Sequence, residues 1–198
     1  MADLAILRES PLVHLHERMR AGHDRPVALR ETAFLTMASV RVRPGSAAAR
    51  RIGEVLGGPL PTACGETTAA GGRTALWLGP DEWLVVSSAD EPAALTAALH
   101  EALGGDPGSI VDVSANRTVL ELSGARARAV LEKGCPVDLH PRRFTPGRAV
   151  TTTVGPVPVV LWQTAATAYR LLPRSSFADY LARWLLDAMA EYTAPGEP

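Results

Sequence analysis

Two stretches of the chain, Thr36 to Gly104 and Asn116 to Glu191, carry the same order of structural signals at an offset of roughly eighty positions. In the first, SVRVRPGSAAARRIGEVLGGPLP at 39–61 reads as an alternating strand, a Pro-Gly turn, a helix and a glycine stop; in the second, RTVLELSGARARAVLEKGCPVDL at 117–139 repeats that order. Each continues through a Pro/Gly/Thr-rich connection, 59–72 or 136–147, into a strand pair bearing tryptophan, TALWLGPDEWLVVSS at 74–88 or VPVVLWQTAATAYRLLP at 157–173. Each then closes on an amphipathic helix. The repeat predicts an α+β fold of two pseudo-symmetric β-α-β-β-α, ferredoxin-like lobes. The expected boundaries are an N-terminal arm at 1–30, lobes at 31–108 and 109–192, and a tail at 193–198.

The helix signals are specific. Ser46 precedes Ala48, Ala49, Ile52, Val55 and Leu56 as an N-cap, and Pro92 lies in the first turn of a helix over 91–103. In the last helix Phe177, Tyr180, Leu181, Trp184, Leu185, Ala188 and Met189 recur at helical spacing, with Ser175 or Ser176 as cap and Asp179 closing a capping box. Within the strands, Leu76 and Leu78 face opposite Trp77.

A formal net charge of −1 on 198 residues leaves no basic stripe for a nucleic-acid backbone. No apolar run approaches the ~20 residues of a membrane helix. The start, MADLAILRESP, carries Asp3 and Glu9 where a secretory signal would be apolar, so the cytoplasm is the expected compartment. Two cysteines, Cys64 and Cys135, fit a reducing setting.

Candidate chemistry is thin. His14, His16 and Glu17, with His23 beyond, are the nearest approach to a metal cluster, yet no further Cys or His completes a tetrahedral shell. Cys135 followed by His140 has the composition of a nucleophile and base, but Cys135 stands at a helix stop beside Pro136, where a small buried thiol is expected. GETTAAGGRT at 65–74 lacks the Lys-Ser/Thr of a phosphate loop and reads as a hairpin connection. Asp112 and Asp138 form a carboxylate pair only if folding unites them. No catalytic, cofactor-binding or metal-binding residue is therefore expected. The arm, with Leu4, Leu7, Leu12, Leu15 and Met19 among charged neighbours, is expected to pack on another chain.

The run VDVSANRTVLELSGARARAVLEKGCPVDLHPRRFTPG at 111–147, with the segments Lys133 to His140 and Pro173 to Leu181, resembles the gamma-subunit family of heterotetrameric sarcosine oxidase. The likeness covers about 110–190 strongly and 30–105 moderately. That family is similar to the aminomethyltransferase (T-protein) of the glycine cleavage system, whose first two domains would match the two lobes. The larger relatives add a third domain that completes a folate pocket, and these residues show no counterpart to it. The iron–sulfur assembly factor of the wider group has Lys-Gly-Cys-aromatic-x-Gly-Gln; here Lys133-Gly134-Cys135 runs into Pro136-Val137-Asp138. The resemblance implies a cofactor-free subunit with alpha, beta and delta partners that carry NAD, FAD, FMN, zinc and tetrahydrofolate. The complex would oxidise sarcosine to glycine. The alternative is a free-standing folate-binding or aminomethyltransferase-like protein, which would need a closed pocket.

Overall fold

A computed structural model describes residues 8–20 and 26–193. Two five-stranded antiparallel sheets form the centre. The first contains β2 (Thr36–Val42), β3 (Thr67–Ala70), β4 (Arg73–Gly79), β5 (Glu82–Ser87) and β6 (Gly108–Asp112), in the order β3-β4-β5-β2-β6. The second contains β7 (Val119–Ser123), β8 (Ala149–Val154), β9 (Val157–Ala165), β10 (Ala168–Pro173) and β1 (Ala28–Thr32), in the order β8-β9-β10-β7-β1. The two orders match position for position. Helices α2 (Ala47–Leu56) and α3 (Pro92–Leu103) cover the first sheet, and α1 (His16–Arg20), α4 (Ala127–Glu132) and α5 (Ala178–Thr193) cover the second.

The alternation of the strands produces this layering. On β5, Trp83 and Val85 join α2 and α3 in an outer core, while Leu84 and Val86 point the other way. Those inward side chains, with Met37 and Leu76, meet Val160, Trp162 and Leu172 of the second sheet. Each sheet is thus buried on both faces, by helices outside and by its twin inside, giving a helix–sheet–sheet–helix sandwich. Leu76 and Trp77 divide between the middle and outer cores as expected.

The ferredoxin-like expectation holds, with strands added to each lobe. In the first lobe β2-α2-β4-β5-α3-β6 is the six-element ferredoxin-like order, and β3 extends its edge. The stretch expected to be a mere connection folds as β3, joined to β4 by Gly71 and Gly72 at φ 56° and 82°. That pair of left-handed residues is the two-residue hairpin loop whose twist suits antiparallel strands. In the second lobe β8 extends the edge likewise.

The second lobe takes its remaining strand from the other end of the chain. β1 pairs with β7 from Ala28↔Ser123 to Thr32↔Val119, so residues 28–32 serve the lobe that begins some ninety positions later. Glu121 fastens it: its carboxylate accepts from Arg30 at 2.5 Å on one side and from Arg170 at 3.3 Å on the other. The boundaries at 30 and 108 are corrected accordingly, because β1 belongs to the second sheet and β6, which runs from 108 to 112, completes the first. Local pattern reading does not see such an exchange, since it depends on pairing between segments far apart in sequence.

Candidate functional site

The segment expected to be an interface arm folds onto its own chain. Leu12, Leu15 and Met19 are at most 3 % exposed, packed with Leu29, Leu122 and Leu181 in the outer core of the second lobe. This corrects the interface reading for those three residues; their apolar surface is spent inside the lobe, where burial stabilises the chain itself. Leu4 and Leu7 lie outside the described residues. A polar lock holds the segment down. Glu31, whose side chain is 0 % exposed, accepts from the Ser10 hydroxyl, from Thr118 Oγ1 at 2.5 Å and contacts His16 Nε2 at 2.9 Å. Three partners satisfy a carboxylate that would be costly to bury alone.

The histidines do not converge. His16 is engaged by Glu31, whereas His14 reaches across to Asp179 on α5 at 2.6 Å; His23 is outside the described residues. No group of three metal-ligating side chains exists among the described residues. Asp112 accepts from Ser114 and Asp138 accepts from the His140 amide, so each stabilises a local turn.

Cys135 is buried, and burial pushes its thiol up from the ordinary range, opposite to what a thiolate nucleophile needs. His140 is exposed and its Nδ1 accepts from the Arg142 amide at 3.2 Å, which occupies the ring nitrogen a base would use. The surrounding loop is packed by an aromatic instead: Trp184 of α5 lies against Gly134 and Gly155, whose backbones are joined by a 2.9 Å hydrogen bond.

An open cleft of about 570 Å³ lies where the lobes meet, between 59–68 and Pro146–Arg148. Glu66 on its wall accepts from the amides of Thr62 and Ala63, which lower its carboxyl below the usual range. Thr67 donates to the Gly147 carbonyl at 2.6 Å and Arg148 reaches the Cys64 carbonyl, so the polar groups here tie lobe to lobe. No nucleophile–base pair lines it.

In the last helix the buried face is Ala178, Leu181, Ala182, Leu185, Ala188 and Met189; Phe177 and Tyr180, expected on that face, are exposed. The expected serine cap is also absent. A short 3₁₀ turn at Ser175–Phe177 leads into α5, and Ser175 Oγ donates to the Ala115 carbonyl at 3.0 Å. Asp179 pairs with Arg183 and His14, which hold its carboxyl below the usual range.

A profile of the sarcosine oxidase gamma subunit family matches residues 42–191. The chain belongs to that family. It is 46% identical to sarcosine oxidase subunit gamma of Corynebacterium sp. (strain U-96), covering 98% of this chain and 96% of that one. It is 48% identical to the Arthrobacter sp. subunit gamma over 96% and 93% of the two chains. Among solved structures, a chain of heterotetrameric sarcosine oxidase from Corynebacterium sp. U-96, in complex with pyrrole 2-carboxylate, superposes with a TM-score of 0.89 at 44% identity, covering 97% of this chain and all of that one. The glycine cleavage aminomethyltransferase T of Bartonella henselae shares the fold at 17% identity, with a TM-score of 0.65 over 91% of this chain and 57% of that one. The family and the two-lobed architecture read from the repeat are therefore both established. No helix among the described residues is long and apolar enough to cross a membrane.

Proposed function

We propose that this chain is the gamma subunit of a heterotetrameric sarcosine oxidase and works as a non-catalytic brace. The observation that carries the reading is the superposition, at a TM-score of 0.89 and over nearly the whole of both chains, on a chain of such a heterotetramer. Its own side chains support the non-catalytic part. The one buried thiol is held protonated, His140 five residues on accepts within a local turn, and His14 and His16 are paired with carboxylates. On this reading the redox and one-carbon chemistry belongs to the alpha, beta and delta chains. There NAD, FAD, FMN, zinc and tetrahydrofolate would serve conversion of sarcosine to glycine, with hydrogen peroxide and formaldehyde or 5,10-methylenetetrahydrofolate as products. The gamma chain braces the folate-binding part of alpha, and a sandwich whose sheets are buried on both faces supplies the stiffness. The compartment is the cytoplasm.

The alternative, a free-standing folate-binding or aminomethyltransferase-like protein, draws only on a fold shared at 17% identity, and fold alone does not fix activity. Native affinity purification of the tagged chain, co-expressed with the three partner chains, separates the two. The subunit reading expects stoichiometric co-purification of yellow, flavin-bearing chains, and a free-standing protein emerges alone.

A further inference from the structure

Four of the large apolar side chains that the fold leaves outside gather at one end of the second lobe. Phe34, in the turn between β1 and β2, is 48 % exposed and lines a cleft of about 350 Å³ with Arg117 and Ser175. Phe177 follows two residues after Ser175. Tyr180, 52 % exposed, stands beside Asp179, and Asp179 is held by His14, the neighbour of exposed Val13. Phe34 shares its cleft with Ser175, and the His14–Asp179 contact brings the Val13 and Tyr180 segments together, so these exposed apolar residues lie on neighbouring segments, as at a protein-binding face.

Arg8 lines the same cleft, and two further cations, Arg117 and Arg174, stand beside it. Arg117 and Arg174 are joined by an antiparallel backbone bridge; burial first, and then the neighbouring charge of Arg174, lowers the Arg117 guanidinium from its ordinary value. Neither guanidinium has a carboxylate partner among the described residues, although Arg73, Arg51 and Arg183 each have one. Glu82, whose field reaches Arg117, is paired with Arg41 at 3.5 Å, and Glu9, which lines the cleft, forms an ion pair with neither arginine. Arg117 has committed one nitrogen to the Leu172 carbonyl at 2.7 Å, which fixes the guanidinium in place with donors left over.

Phe34 adds an independent mark. It is the one non-glycine residue of positive φ among those described, at +62°, a conformation that costs a bulky side chain energy and that Asn or Gly would adopt more easily. The ring is half exposed, and Arg8 stacks over it at 4.7 Å.

We propose that the face built from Val13, Phe34, Phe177 and Tyr180 around Arg117 and Arg174 docks an apolar segment of a partner subunit bearing one or more carboxylates. The inference rests on the subunit reading above. Charge complementarity selects the occupant: aromatic side chains and arginines are the residues that dominate buried interface centres, and a carboxylate can take paired guanidinium donors in two parallel hydrogen bonds.

The test uses the full chain titrated against the remaining subunits of the complex. Phe34→Asn relieves the strained turn and Arg174→Glu alters an exposed residue, so the double variant should melt no lower than the parent. It should nonetheless bind the remaining subunits at least tenfold more weakly. Footprinting by hydroxyl radicals should show Phe34, Phe177 and Tyr180 oxidised in the free chain and protected in the complex. Parent-like affinity of the double variant, which is also what a cleft for small carboxylates would give, overturns the proposal. So does unchanged oxidation of the three aromatics. If the unsubstituted chain itself fails to bind, the subunit reading falls, and this inference with it.

Discussion

The indole of Trp184 rests on Gly134 so closely that a Cβ added at Gly134 would lie 2.6 Å from Trp184 Cζ2 and 3.0 Å from the Gly155 nitrogen. No real Cβ tolerates such spacing, so the glycine after Lys133 is required by the packing of α5. Gly134→Ala should cost about 1–3 kcal/mol through overpacking, and Trp184→Phe in the same chain should recover part of it. Trp184 itself is half-buried, so Trp184→Ala is expected at about 3 kcal/mol, the low end for loss of a core aromatic. Urea denaturation of Gly134→Ala, Trp184→Phe, their double variant and Trp184→Ala checks the coupling.

Deleting residues 1–25 removes Leu12, Leu15 and Met19 from the second lobe's core and Ser10 and His16 from buried Glu31. The truncated chain should lose several kcal/mol, since each buried Leu or Met is worth ~2–5 kcal/mol. Leu12→Ala alone should cost about 3 kcal/mol. An unchanged midpoint in thermal melting would mean that the segment is not part of the core.

Asp90 accepts two 2.7 Å hydrogen bonds from Arg73 and one from Ser87, and chiefly the Arg73 guanidinium holds its carboxyl down to about 2 from 3.8. A folded-state pKa below the unfolded one gives stability that is present above pH 3.8 and lost as pH falls toward 2. The contribution is on the order of 2 kcal/mol for a pair this sheltered. Asp90→Asn should therefore flatten the fall in stability between pH 5 and pH 2, measured by denaturant titration at each pH.

Exposed Cys64 and buried Cys135 should separate by reactivity. Because burial raises the Cys135 thiol, iodoacetamide at neutral pH should label Cys64 rapidly in the native chain and Cys135 only after unfolding. Mass spectrometry of the native and denatured reactions distinguishes the two.

Local chemistry was legible where neighbours in sequence are neighbours in space. Ser46 caps α2 by accepting from the Ala49 amide at 3.1 Å, and the turn at Gly79–Asp81 joins β4 to β5, both as the residues themselves suggest. The resemblance on Lys133 to His140 led to the right family. Three features were hidden. β1 and β6 complete the sheets through long-range pairing, and Thr-rich β3 and β8 carry too little apolar alternation to mark them as strands. The buried stripe of α5 begins at Ala178 instead of Phe177, because small alanines at 178, 182 and 188 let the helix sit close to the sheet while the aromatics stay outside. The arm read as interface because apolar residues among charges look alike whether the partner is another chain or the same one.

The most direct test of the central claim is sarcosine turnover by the assembled heterotetramer carrying Cys135→Ala and His140→Ala together in this chain. A non-catalytic subunit predicts normal assembly, normal flavin content and kcat within twofold of the parent complex. Loss of turnover by several orders of magnitude, with assembly and flavin content intact, would contradict it and make this chain part of the active site.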